Sequence, residues 1–185
     1  MHCYRLAPWA IDGRAARVNC VRLFAVVYLV GSAGLPALVR ADEARGNVFH
    51  DPFIAVTHDL KDCPVPAGPM FTAEQGRTEA HWRAQRGVSC YLSGRCRLSN
   101  SYWYDQEIIP RVELAIHADG RFEHTSVWVM GQRRWVWLMG CVASAEQAQT
   151  LEALVRNLDD VEAVIDELMV GTTATPAYEL APATR

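Results

Sequence analysis

Apolar positions recur at strand and helix spacings most densely between residues 105 and 170. Val127 to Met130 is a short apolar run, and Trp135 to Val142 is a second one rich in aromatic and β-branched residues. Between them, Gly131-Gln132-Arg133-Arg134 is polar and opens with a glycine. Two such runs around a short break predict an antiparallel hairpin. Side chains alternate across a strand, so Val136, Leu138, Gly140 and Val142 share one face. Trp135, Trp137, Met139 and Cys141 share the other. Both faces are apolar, unlike a sheet with one wet side. Gly140 is expected to let a helix approach the strand closely.

A helix follows the hairpin. Ser144 and Gln147 have capping-box spacing, and Glu146 suits the positive end of a helix. Ala148, Leu151, Leu154, Val155 and Leu158 then recur at helical spacing, and Asp159-Asp160 ends the run. Val161, Ala163, Val164, Ile165 and Leu168 predict a last strand. Upstream, Asp105 is expected to cap a helix carrying Ile108, Ile109, Val112, Ala115 and Ile116. Pro110 predicts a bend or a late start there, and Asp119-Gly120 turns the chain out. The fold class expected is α+β, in the order helix, strand, strand, helix, strand.

This stretch resembles a BON domain, a small module of bacterial envelope proteins. The resemblance is carried by Asp105 with Ile108 or Ile109, by Val112, by Val136-x-Leu138-x-Gly140-x-Val142, by Ser144-x-x-Gln147, and by Val161-x-x-Val164 before Leu168. It covers roughly a third of the chain. Two features depart from the family pattern. Asp159-Asp160 stand where a glycine is usual, and the outward face of the hairpin is far more aromatic. The resemblance implies a non-catalytic periplasmic module that attaches to phospholipid membrane or to envelope proteins, often in stress protection.

The rest of the chain divides around this domain (105–170). Leu23 to Val39 is mostly apolar, follows Arg14, Arg17 and Arg22, and ends at Val39-Arg40-Ala41 with small residues where a signal peptidase reads. Residues 1–41 are therefore expected to be a secretory signal peptide cleaved near Ala41, with Val18 as an alternative start. A membrane anchor is the rival, but Gly31, Gly34 and Pro36 interrupt a run already short for spanning. Residues 42–104 form an arm. Asp62-Cys63-Pro64-Val65-Pro66 is expected to be extended, and Thr72 to cap a surface helix over Glu74–Arg86. Residues 171–185, rich in Thr, Ala and Pro, are expected to be a disordered tail.

Charge and cysteines narrow the function. After Ala41 there are 13 Lys+Arg against 20 Asp+Glu, a net charge of −7. That gives no case for nucleic-acid binding and leaves no polybasic patch for anionic lipid. A membrane contact is therefore expected to be apolar and nearly independent of salt. Cys63, Cys90, Cys96 and Cys141 remain after cleavage, an even count that favours disulfides in an exported chain. Zinc is the rival reading, but five residues separate Cys90 from Cys96 and no paired His motif follows. Four cysteines allow three pairings. Cys90–Cys96 is favoured because Gly94 can turn so short a loop, together with Cys63–Cys141.

No nucleophile elbow, phosphate loop, zincin helix or dinucleotide fingerprint appears, and no histidine pairs with a cysteine or carboxylate at motif spacing. No catalytic, cofactor or metal site is expected. The tryptophans carry the sharper signal. Trp128, Trp135 and Trp137, with Met139, form a candidate binding surface on the outward face. Either the arm folds over this face and buries it, or the face stays open to a partner or membrane interface. A bridge from Cys141 to the arm predicts partial cover with an aromatic rim left free. The expected function is thus a periplasmic envelope protein binding phospholipid membrane or an envelope partner. The alternative is an interaction or assembly module without lipid contact, and an enzyme is the least favoured reading.

Overall fold

A computed structural model describes residues 44–182, so the expected leader and its cleavage point lie outside the described residues. The described chain is α+β. Four strands, β1 (Phe53–His58), β2 (Ser126–Gln132), β3 (Trp135–Val142) and β4 (Ala163–Val170), form one sheet in sequence order. β1, β2 and β3 run antiparallel, whereas β4 pairs parallel to β3. A parallel return requires a crossover. Helix α4 (Ala145–Arg156), capped by Ser144, supplies it.

One face of the sheet packs on α4 and on α3 (Asp105–Asp119). Val127, Val129, Val136, Leu138 and Val142 meet Ile108, Ile109, Val112 and Ile116 of α3, and Ala148, Leu151 and Val155 of α4. Val112, Leu138 and Leu151 are completely buried. Each such side chain contributes about 1.5–3 kcal/mol of transfer free energy. Strand parity in β3 is therefore as the sequence pattern implies, with the tryptophans on the other face.

Local details differ from expectation at several places. The hairpin turn is centred on Arg133 and Arg134, both left-handed at φ 59° and 69°, while Gly131 lies inside β2. A side chain at Gly131 would come within 2.7 Å of Ile109, so this glycine serves helix packing instead. Asp105 caps nothing in α3. Its two carboxylate oxygens accept the N–H groups of Arg133 and Arg134 at 2.6 and 2.7 Å, which holds that unusual turn. Gly140 has φ 117°, and an added Cβ would overlap the Ser126 carbonyl oxygen and press on Trp128. Its role is thus close approach to β2, not to a helix. Asp160 adopts φ 70°, the conformation a glycine would take at the end of the α4 turn. The late start that Pro110 could have imposed does not occur, since α3 begins at Asp105.

The arm adds β1, a strand the sequence pattern does not predict. It also adds α1 (Ala73–Arg86), with a Thr72–Gln75 capping box, and α2 (Ser89–Leu92). A single 3-10 turn, Ser101–Tyr104, leads into α3. Only Gly76 and Arg83 of α1 are buried.

Candidate functional site

The outward face of β2 and β3 carries Trp128, Met130, Trp135, Trp137, Met139 and Cys141, and two segments cross it. Cys63 is bonded to Cys141, which ties the arm to the sheet. Residues of the tail then return over the same place. Ala67 N–H donates to Glu179, Ala181 N–H donates to Val65, and the Tyr178 hydroxyl donates to the Pro64 carbonyl at 2.8 Å. The tail expected to be disordered is therefore docked as far as residue 182. Tyr178 is the reason: its ring is 7% exposed and packs with Met139, Cys141 and Met169.

The four candidate surface residues consequently part company. Met139 is buried under the tail and is no surface residue. Trp128 is half-buried in the same cluster. Trp135 and Trp137 are half-buried and neighbour each other, ring centroids 6.2 Å apart. Both line a cleft of about 230 Å³ whose other walls are Phe71, Glu79, Arg86 and Tyr102 from the arm, and Gln132 and Arg133 from the hairpin. Trp137 also borders a second cleft, of about 210 Å³, with Met130, Glu167 and Tyr178. Burial, and then Asp166, push the Glu167 carboxyl above the usual carboxylate range. The Trp135 indole N–H is buried without a partner among the described residues, which is rare for a buried donor.

Beneath the first cleft lies a polar network that fixes arm to hairpin. The Arg83 guanidinium donates twice to Asp51, at 2.6 Å each, and once to Glu79 at 3.1 Å. It lies over the Phe49 ring at 3.9 Å and over the Tyr102 ring at 4.4 Å. Gln132 donates a further bond to Asp51. Burial pulls Arg83 down, but Asp51 and Glu79 hold it above its ordinary value. Burial raises the Tyr102 hydroxyl as well. Asp105, adjacent to this network, is pushed by burial up to about 7, against its two backbone N–H bonds.

The charges lining the cleft are unequal. Glu79 is engaged with Arg83, whereas Arg86 and Arg133 have no carboxylate partner among the described residues. Arg86 lies over the Trp82 ring and Arg133 over the Trp135 ring, 4.9 and 4.8 Å from the centroids. The result is an aromatic-walled opening with two free guanidinium groups. Planar guanidinium forks match phosphate and carboxylate oxygens.

Cys90 is bonded to Cys96, and the Arg134 guanidinium reaches both sulfurs, at 3.5 and 3.2 Å. His124 meets Asp59 at 3.0 Å, a pair that a sequence separation of 65 hides from any motif. Among the described residues, no group of His, Cys, Asp and Glu has a metal-binding arrangement, and no helix is long and apolar enough to cross a membrane.

Comparison with known proteins identifies the module around this site. The BON domain family model matches residues 104–172. That part of the chain is a BON domain, comprising α3, β2, β3, α4 and β4. No curated protein and no solved structure matches the chain.

Proposed function

We propose that this is a non-catalytic protein of the periplasm that binds phospholipid membrane through the aromatic rim of its BON domain, in protection of the envelope under stress. The observation that carries the reading is the cleft at Trp135 and Trp137, with Arg86 and Arg133, which have no carboxylate partner among the described residues, at its walls. A phosphate headgroup suits the guanidinium groups, and the indoles suit the boundary between apolar chains and water. Export rests on the Arg-flanked apolar run before Ala41. The second reading, an envelope protein as partner without lipid contact, draws on the same half-buried tryptophans, since Trp and Arg dominate protein interfaces too.

The test uses Trp137→Ala, Trp128→Ala and Arg133→Gln in the disulfide-bonded protein. Circular dichroism first establishes that each variant folds. Sedimentation with phospholipid vesicles, and capture from envelope extract, then separate lipid from protein binding. Retained fold with lost vesicle binding is the expected result for Trp137→Ala and Arg133→Gln. Collapse of the fold in both tryptophan variants would make these residues core, and the rim reading would be dropped.

A further inference from the structure

We propose that the arm segment from Trp82 to Trp103, outside the BON domain, is an interfacial anchor that seats the protein on an anionic lipid surface. The inference rests on the membrane reading above and adds where the membrane is gripped. From residue 80 to residue 104 the chain holds four arginines and no carboxylate, in a sequence with more acidic than basic residues. The same segment exposes four large apolar side chains: Trp82 at 43%, Tyr91 at 48%, Leu92 at 77% and Trp103 at 58%. Leu, Trp and Tyr beside Arg are the side chains that favour the boundary between headgroups and acyl chains.

These side chains belong to one braced unit. Arg86 lies over Trp82. Ser101 N–H donates to the Gly87 carbonyl, which binds the 3-10 turn carrying Trp103 to the end of α1. Cys90–Cys96 closes the loop that displays Tyr91 and Leu92, and Gly94, at φ 72°, turns it. Arg134 holds both sulfurs from the hairpin tip. A tip already fixed loses little conformational freedom on binding.

Charge and shape select lipid over protein. Arg83 is neutralised by Asp51 and Glu79, and Arg97 meets Glu107 and Asp160. Arg86 and Arg95 have no carboxylate partner among the described residues, and Arg133, which lines the same cleft as Arg86, is in the same condition. Free cations beside projecting apolar groups are complementary to an anionic bilayer. A fluid interface accepts projecting side chains such as Leu92 and Trp103 without a shaped counterpart, which a folded partner would need. The net charge of the chain conceals this local surplus. Binding therefore gains a component that falls with salt, unlike the salt-independent contact expected from net charge.

The experiment compares vesicles of phosphatidylcholine with and without phosphatidylglycerol, by sedimentation of the disulfide-bonded protein. The variants are Leu92→Asp with Trp103→Ala, Arg95→Glu, and Leu114→Asp as the control. Leu114, on α3, is 70% exposed and so as apolar a surface point as the anchor, in another place. The double variant should lose affinity about tenfold or more, the scale of one large apolar side chain no longer buried. Arg95→Glu should weaken binding to the phosphatidylglycerol vesicles only, and Leu114→Asp should change neither. If the double variant binds as the parent does, or Leu114→Asp loses binding in its place, the anchor is wrong while the membrane reading stands. If the parent binds neither kind of vesicle, the membrane reading fails and the anchor with it.

Discussion

Removing the two disulfides separately should destabilise the protein by different amounts, and in a fixed order. Cys63 and Cys141 are 78 positions apart, whereas Cys90 and Cys96 are 6 apart. A cross-link restricts the unfolded chain in proportion to the logarithm of the loop it closes. In the chain-entropy model, the long loop is worth about 4.5 kcal/mol and the short one about 2 kcal/mol. A domain of this size has a total stability of about 5–15 kcal/mol, so the first figure is a large share of it. The perturbations are Cys63→Ala with Cys141→Ala, and Cys90→Ala with Cys96→Ala. Guanidinium unfolding, followed by circular dichroism and tryptophan emission, measures both. The first pair should move the midpoint about twice as far as the second. A second readout concerns cover. Cys141 anchors the segment that lies over Met139 and Trp128, so its release should shift native tryptophan emission to the red and open residues 60–68 to protease. Equal losses for the two pairs would refute the loop-length argument. An unchanged emission would show that the Tyr178 and Ala67 hydrogen bonds hold the arm without the bridge.

Two further outcomes follow from single positions. Gly140→Ala should be strongly destabilising, by about 3 kcal/mol or more, because φ 117° is strained for alanine and the new methyl group meets the Ser126 carbonyl. Thermal unfolding reads it, and a loss under about 1 kcal/mol would mean that β2 and β3 part easily there. For Asp105, the folded value of about 7 lies above the unfolded value of about 4, so the proton is held more tightly in the folded state. Its contribution is full below about pH 4 and is lost as pH rises to about 7. Relative to Asp105→Asn, the parent should therefore lose about 3–4 kcal/mol between pH 4 and pH 8. Parallel stability curves for the two proteins across that range would show that the Arg133 and Arg134 N–H groups already compensate the buried charge.

The parts of the fold legible in the sequence are those set by periodicity. β3 and α4 carry their apolar faces at spacings of two and of three or four, and a capping residue marks the start of α4. What periodicity does not encode is partnership at a distance. The hairpin turn was expected to use its glycine, yet Arg133 and Arg134 take left-handed conformations because a carboxylate 28 positions upstream accepts both N–H groups. β1 follows a proline and has no clean alternation, and its strand state comes from the free edge of β2. The tail reads as disordered by composition, but Tyr178 over Met169 and Cys141, with backbone bonds between the tail and residues 65–67, holds it in place. In the candidate site, the tryptophans were visible as a cluster. Arg86, Tyr102 and Phe71 were not, since nothing near them in sequence points to the hairpin.

The position of the cleft has a consequence for what counts as the functional unit. Its walls come half from the BON domain and half from the arm, and the bonds that set their spacing are buried ones. Asp51, in the arm, accepts from Arg83 of α1 and from Gln132 at the hairpin tip. A buried charge that loses one partner costs about 3–5 kcal/mol, so the arm is not readily lifted from the domain. Excision at residue 104 would take away Phe71, Glu79, Arg86 and Tyr102, leave Trp135 and Trp137 on an open face, and remove the partner of Cys141. The aromatic excess on the outward face of this BON domain is thus explained by the arm: those side chains are there to be half covered, and the uncovered half is shaped by what covers the rest.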